Sequence, residues 1–243
     1  MVSPMNFARS LGLSALLLAL LAVVPGTSAA TDIMKVPTAT GGRLRIVAFG
    51  SSSTEGVGAS TPAHSYPSML QADLQASLPR SIVASVINLG HGGDDSQTML
   101  ARVPAVLAEH PDLVIWQTGT NDSLHGLSLE RFVILTEAGL DNFEAAHLPV
   151  MLIEPQWCQA LVNHPESLGY RDTLRRIARE RGIPIVLRYD LMQEWLARGL
   201  VTLAQLQSGD GLHMGDGGYA LLAQTIAGMI VPAPLPRAVT ATR

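Results

Sequence analysis

Four short motifs along the chain carry groups that together can attack an ester carbonyl. They are Gly50-Ser51-Ser52-Ser53-Thr54, Asn88-Leu89-Gly90-His91-Gly92-Gly93, Gly119-Thr120-Asn121-Asp122 and Asp210-Gly211-Leu212-His213. They supply a serine hydroxyl, a glycine amide, an asparagine amide, and an aspartate three residues before a histidine. Acyl transfer uses this set, because a nucleophile needs a base, the base needs an orienting carboxylate, and the oxyanion needs hydrogen-bond donors. The combination predicts a serine nucleophile acting on a carboxylic ester.

The fourth motif is the most informative. A gap of three residues in a turn lets the Asp210 carboxylate reach Nδ1–H of His213 and leaves Nε2 to face a serine. Each motif alone has an ordinary alternative, namely a serine-rich turn, a Gly-Gly turn, an Asx turn or a surface histidine. The three consecutive serines leave the choice of nucleophile open on local grounds.

A metal site is the competing interpretation of the same residues. Its candidate ligands are His91, Asp94, Asp95, Asp210 and His213. No tight ligand spacing such as His-Glu-x-x-His supports it, so we expect neither a metal nor an organic cofactor.

The first thirty residues predict a secretory signal peptide. Arg9 precedes an apolar run at 11–24, and Thr27-Ser28-Ala29-Ala30 supplies small residues for cleavage. The run is shorter than the ~20 apolar residues that span a bilayer. We therefore expect a secreted or periplasmic protein with no stable membrane span after cleavage at Ala30. A retained signal anchor is the alternative.

Composition excludes some partners and constrains stability. The formal net charge is −4 at pH 7, which gives no electrostatic reason to expect nucleic acid binding. Cys158 is the only cysteine, so no intramolecular disulfide forms and stability must come from packing. We expect this thiol to be a buried apolar side chain. The sequence does not indicate an oligomeric state, although an exposed Cys158 would allow two chains to be linked.

Strands and helices alternate along the chain after a lead at 31–43, through a domain at 44–230, to a proline-rich tail at 231–243. The predicted strands are 44–49, 81–88, 112–117, 149–154 and 183–187. The predicted helices begin after Ser65 and span 97–109, 128/129–146, 165–181, 190–198, 202–206 and 217–230. Uniformly apolar strands that alternate with helices predict a flavodoxin-like three-layer α/β/α sandwich with a five-stranded parallel sheet. Ligands of such sheets bind beyond the carboxyl ends of the strands, where the first three motifs lie.

The motifs resemble the four sequence blocks of the SGNH hydrolases, the GDSL-like esterase/lipase superfamily. The resemblance extends from Leu44 through the last helix. It implies Ser52 as the nucleophile, which resolves the choice among the three serines. It also implies that Asp210 orients His213 and that His213 is the base.

The same resemblance implies an oxyanion hole formed by the backbone amides of Ser52 and Gly93 and the side-chain amide of Asn121. Ser51 stands where the family usually has aspartate. We expect its hydroxyl to hydrogen-bond within the turn, without a charge.

The resulting hypothesis is an esterase that forms an acyl-enzyme on Ser52 and acts on a small ester or an acylated carbohydrate or lipid. Small, glycine-rich site residues favour short acyl groups such as acetyl, and the resembling family also handles lysophospholipids and thioesters. One alternative is an acyltransferase that uses the same triad. Another is a non-catalytic carbohydrate- or lipid-binding module, against which the intact Ser52, Asn121, Asp210 and His213 argue. No residues of a substrate pocket are predicted.

Overall fold

Five parallel strands form one sheet in the order β2-β1-β3-β4-β5. The computed structural model describes residues 42–164 and 166–231. The strands are β1 (Arg43–Gly50), β2 (Val83–Gly90), β3 (Leu113–Gln117), β4 (Val150–Ile153) and β5 (Ile185–Val186). The chain winds outward from β1 in both directions, so the switch point lies between β1 and β3.

Helices connect the strands and flank the sheet. Within the described residues they are α1 (Ser52–Glu55), α2 (Tyr66–Ser77), α3 (Ser96–Ala108), α4 (Thr120–Leu124), α5 (Leu129–Ala145), α6 (Gln159–Val162), α7 (Ser167–Arg181), α8 (Arg188–Ala197), α9 (Leu203–Leu206) and α10 (Asp216–Ile230), with one 3₁₀ turn at Pro62–His64. None of these helices is both long and apolar enough to cross a membrane.

The core has two halves, one on each face of the sheet. Ile46 and Ala48 of β1 pack with residues of α2, α8 and α10, whereas Val47 and Phe49 pack with residues of α3, α5 and α7. Successive side chains of a strand point to opposite faces, so a strand covered on both sides is apolar throughout. This confirms the predicted three-layer α/β/α sandwich with a five-stranded parallel sheet.

Several predicted details differ. The last strand was predicted at 183–187 but is only Ile185–Val186, because α8 begins directly at Arg188. The short helices α1, α4 and α6 were not predicted.

Three predicted segments lie outside the described residues, wholly or in large part. They are the signal peptide at 1–30, the lead at 31–43 except its last two residues, and the tail at 231–243 except its first residue.

Candidate active site

The carboxyl edge of the sheet brings the four motifs together. β1 ends at Gly50 and is followed at once by α1, and β2 ends at Gly90, next to Gly50 in register. The third motif follows β3, and the fourth lies in the turn before α10. Because all five strands are parallel, these segments meet at one edge.

Ser52, His213 and Asp210 form a continuous hydrogen-bonded chain. Nε2 of His213 is 2.9 Å from Oγ of Ser52, and Nδ1 of His213 is 2.6 Å from Oδ2 of Asp210. Since a carboxylate only accepts, Nδ1 carries a proton and a neutral ring has Nε2 free to accept from the serine. The three side chains therefore have the connectivity that proton transfer from a serine requires.

Asp210 is held by four donors in its own turn. Oδ1 accepts from the backbone amides of Leu212 and His213, at 2.9 Å each, and from Oγ of Ser208 at 2.7 Å. Burial alone would raise the pKa of this carboxyl, but these bonds and the one from the His213 ring outweigh it and hold the pKa well below its usual value. The group that orients His213 is therefore a fixed anion.

Ser52 is the first residue of the one-turn helix α1. Ser51 precedes it in extended conformation, and Gly56 ends the helix with φ +106°. The backbone amide and hydroxyl of Ser51 both donate to Oε1 of Gln117, at 3.0 and 3.1 Å. The expectation that this hydroxyl bonds within its own turn is therefore wrong, because the acceptor is on β3. These bonds fix the turn of Ser52 to the sheet.

Asn121, in α4, is bonded to the loop that carries Gly92 and Gly93, the glycine loop. Nδ2 of Asn121 donates to the backbone oxygen of Asp94 at 2.8 Å, which engages one of its two N–H groups. Gly93 has φ +83°, and a methyl group placed on it would meet nothing within 4 Å. Within the described chain, the backbone amides of Ser52 and Gly93 donate to no protein acceptor. Three donors thus remain for a ligand oxygen.

Buried and half-buried charges hold α3, α4 and the glycine loop in place. Asp94 is 6% exposed and pairs with Arg102, which also donates to the backbone oxygen of Leu89 at 2.8 Å. Asp122 accepts from the amide and hydroxyl of Ser96. Burial raises the pKa of Asp122, and the bonds from Ser96 only partly offset it. These contacts fix α3 and α4 relative to each other.

Gln156 connects helix α4, which carries Asn121, to the His213 turn. It is 1% exposed, and its Oε1 accepts from Thr120 Oγ1 at 2.9 Å and from Arg188 Nη2 at 2.8 Å. Its Nε2 must then face the other way, where it donates to the backbone oxygen of Leu212 at 3.2 Å. Arg188 is fully buried, and burial lowers its pKa to about 10, so it remains a cation at neutral pH.

Sequence reasoning did not identify Gln156 or Arg188 as site residues. The available signal was position, since Glu154-Pro155-Gln156-Trp157 directly follows β4 on the same edge as the motifs. For Arg188, the only indication in the sequence is its position after β5.

A second serine, histidine and aspartate meet nearby. Oγ of Ser60 is 2.7 Å from Nδ1 of His64 and donates to Oδ2 of Asp216 at 2.6 Å. The same Nδ1 is 3.0 Å from Oδ2 of Asp216. The backbone amide of Ser60 also donates to Asp216. These contacts attach the segment after α1 to the start of α10.

The residues considered as metal ligands make protein hydrogen bonds. His91 is bonded to Asp94, Asp95 accepts from backbone amides of α3, and Asp210 is bonded to His213. Across residues 42–164 and 166–231, no three His, Cys, Asp or Glu side chains are grouped so that they would hold a metal ion. Cys158 is buried, as predicted, and is a free thiol.

Comparison with known proteins agrees with the fold and the motifs. A model of the non-GDSL lipase-like family matches residues 27–234. The chain is 26% identical over 155 residues to thioesterase 1/protease 1/lysophospholipase L1 of Escherichia coli K12, covering 61% of this chain and 68% of that protein. It also superimposes on the lipase/acylhydrolase from Enterococcus faecalis with a TM-score of 0.66 and 25% identity, covering 77% of this chain and 95% of that chain.

A further similar structure is a two-domain esterase active on acetylated mannans, co-crystallised with mannopentaose. The TM-score is 0.64 at 25% identity, over 81% of this chain and 54% of that chain. This chain therefore spans about half the length of that esterase. The family description also agrees with Ser51 in place of the usual aspartate. The chain belongs to the non-GDSL lipase-like family, within the SGNH hydrolase superfamily of carboxylic ester hydrolases.

Proposed function

We propose that the protein hydrolyses carboxylic esters through an acyl-enzyme on Ser52. The observation that carries this proposal is the alignment of Ser52 Oγ, both ring nitrogens of His213 and the Asp210 carboxylate, at 2.9 and 2.6 Å. In the first step, Nε2 of His213 takes the hydroxyl proton while Oγ bonds to the ester carbonyl carbon. The imidazolium that forms is stabilised by the adjacent Asp210 anion.

The carbonyl oxygen becomes an oxyanion in this step. The backbone amides of Ser52 and Gly93 and the second N–H of Asn121 are the donors available to it. When the tetrahedral intermediate collapses, the C–O bond to the leaving group breaks and Nε2–H protonates the departing alcohol. Removing one such donor in other enzymes costs about 2.7–4 kcal/mol of transition-state stabilisation.

Water completes the cycle. Nε2 of His213 accepts a proton from the water molecule as its oxygen attacks the acyl carbon, and the proton then returns to Ser52 as the acid leaves. The residues present supply the nucleophile, the base and the electrostatic stabilisation, so the proposal requires no metal or organic cofactor.

We extend the proposal to short acyl groups such as acetyl, carried on a carbohydrate, and to a location outside the cytoplasm. The similar esterase active on acetylated mannans supports this substrate class. The predicted signal peptide supports secretion or export to the periplasm.

The test uses the protein from Thr31 onward and its Ser52→Ala variant. Both are assayed on nitrophenyl esters from acetyl to long acyl chains, with and without a chelator. We expect chelator-insensitive hydrolysis that is highest for acetyl and is lost in Ser52→Ala. Hydrolysis that survives in Ser52→Ala would contradict the acyl-enzyme, and a maximum at long acyl chains would contradict the acetyl specificity.

A further inference from the structure

Glu55 places a carboxylate beside the nucleophile. It is the last residue of α1, three positions after Ser52, and its side chain is exposed. Oε2 accepts from the backbone amide of Gly92 at 2.8 Å. A methyl group placed on Gly92 would lie 3.0 Å from this oxygen and 4.0 Å from Cβ of Ser52. The carboxylate therefore borders the space that a substrate must enter.

No cationic side chain of the described residues pairs with Glu55. The single lysine of the sequence, Lys35, lies outside those residues. Arg102, the arginine bonded to the glycine-loop region, pairs with Asp94 and donates to a backbone oxygen. Arg188 is fully buried and contacts no solvent. Within the described residues, the Glu55 carboxylate is thus hydrogen-bonded to the Gly92 amide and paired with no cation.

Asp210 is a second negative charge of this site. It is bonded to His213, whose ring is neutral when it is ready to accept a proton. Among the described residues, neither Glu55 nor Asp210 forms an ion pair with an arginine. An anionic substrate entering this space is repelled, whereas an uncharged substrate is not.

We propose that Glu55 selects against anionic esters, so that the site acts on uncharged acylated substrates such as neutral acetylated carbohydrates in preference to esters that carry a phosphate or carboxylate. This inference rests on the proposed esterase function and narrows its substrate class. Lysophospholipids carry a phosphate close to the reacting ester, so they fall in the disfavoured class. Selection by a solvent-exposed charge weakens as salt screens it.

The test compares two acetate esters that differ in charge. The neutral ester is 2-nitrophenyl acetate, and the anionic ester is 4-acetoxy-3-nitrobenzenesulfonate, which has the same frame with one sulfonate. The variant is Glu55→Gln, because the glutamine oxygen still accepts from the Gly92 amide. Glu180→Gln is the matched control, since it removes one negative charge at the end of α7, where Glu180 pairs with Arg176.

The readout is the ratio of kcat/KM for the anionic ester to that for the neutral ester. Any change that affects both esters, including a shift of the glycine loop, cancels in this ratio. We expect Glu55→Gln to raise the ratio about 3- to 30-fold at low ionic strength. We expect the increase to shrink in 0.5 M NaCl and Glu180→Gln to leave the ratio unchanged.

Three results would overturn the inference. If Ser52→Ala abolishes hydrolysis but Glu55→Gln leaves the ratio unchanged, the esterase stands and charge selection fails. Charge selection by Glu55 also fails if Glu180→Gln raises the ratio as much as Glu55→Gln does, because the net charge of the protein would then be the cause. If the wild-type protein hydrolyses neither ester, both the proposed function and this inference fail.

Discussion

The described structure contains two clusters of one serine, one histidine and one aspartate, and their connectivity differs. In the first, His213 uses Nε2 towards Ser52 and Nδ1 towards Asp210. In the second, Nδ1 of His64 faces both the serine and the aspartate. The hydroxyl of the second serine, Ser60, donates directly to its aspartate.

The difference shows that residue identity alone does not make a triad. A histidine can take the serine proton and be stabilised only if its two nitrogens have different partners. The Ser60 hydroxyl proton is already engaged by Asp216, and the arrangement joins two chain segments. The glycine loop is a second difference, since Gly92 lies beside Ser52.

Replacing each serine gives the largest expected contrast. Ser52→Ala should lower kcat for 4-nitrophenyl acetate by about 10⁴-fold or more, because no nucleophile remains. Ser60→Ala should retain nearly wild-type activity, since its backbone amide still bonds to Asp216. Steady-state kinetics on purified, folded variants measures both. Equal losses in the two variants would abolish the distinction between the clusters.

The two aspartates give the next contrast. Asp210→Asn should lower kcat by about 10³- to 10⁴-fold, because an amide cannot both fix the tautomer of His213 and stabilise the imidazolium. Asp216→Asn is the matched control and should change kcat little. A small effect of Asp210→Asn on kcat would show that another group orients His213.

Asn121→Ala tests the proposed oxyanion donors, which belong to the first cluster and not to the second. We expect kcat to fall about 10²- to 10³-fold with a smaller change in KM, because the bond strengthens as the oxyanion forms. Asn142→Ala is the control, since that amide donates to a backbone oxygen of its own helix, α5. A loss confined to KM would place Asn121 in substrate binding instead.

Gln156→Glu tests the buried bonds behind the first cluster. The glutamate still accepts from Thr120 and Arg188 but cannot donate to the Leu212 oxygen beside His213. We expect kcat to fall about 10-fold, as misplacement of a catalytic group predicts, while the melting temperature changes little. Gln193→Glu, at an exposed position of α8, is the control. Wild-type kcat in Gln156→Glu would limit this residue to a structural role.

The smallest expected effect is on stability in acid, where replacing either aspartate should have the same consequence for the melting temperature. The pKa of Asp210 is lowered by bonds that outweigh burial, and the pKa of Asp216 is lowered chiefly by Ser60. Each carboxylate therefore stabilises the folded state at pH values above the pKa that it has in the unfolded chain, about 3.9. This stabilisation is lost as the pH falls towards the lower pKa of the folded state. The melting temperatures of Asp210→Asn and Asp216→Asn should approach that of wild type below pH 4. A difference in melting temperature between wild type and the variants that grows as the pH falls would contradict this direction.

Much of the fold could be predicted because its determinants are local. Apolar strands such as 44–49 and 112–117 alternate with amphipathic helices, and each motif follows a strand or precedes a helix. The resemblance then assigned Ser52 among three serines, which local chemistry could not. The assignment of catalytic roles stays a prediction until the variants above are measured.

The features that were missed depend on partners distant in sequence. Contacts of His64 with Asp216 and of His125 with Asp95 are examples, since no pattern in the sequence marks either pair. Ser60 and Asp216 are 156 positions apart, and no periodicity links them. Gln156 was identifiable only by its place at the end of β4, because its three partners lie on different elements.

The most direct test of the two-cluster distinction is covalent trapping with a phosphonate ester that reacts with activated serines. Ser52 and Ser60 lie in one tryptic peptide, because trypsin cleaves after Arg45 and Arg80 and no lysine or arginine lies between these two residues. Fragmentation of that peptide by tandem mass spectrometry therefore assigns the label within a single species. We expect one phosphonyl group on Ser52 and none on Ser60. A label on Ser60, or no label on folded and active protein, would contradict it.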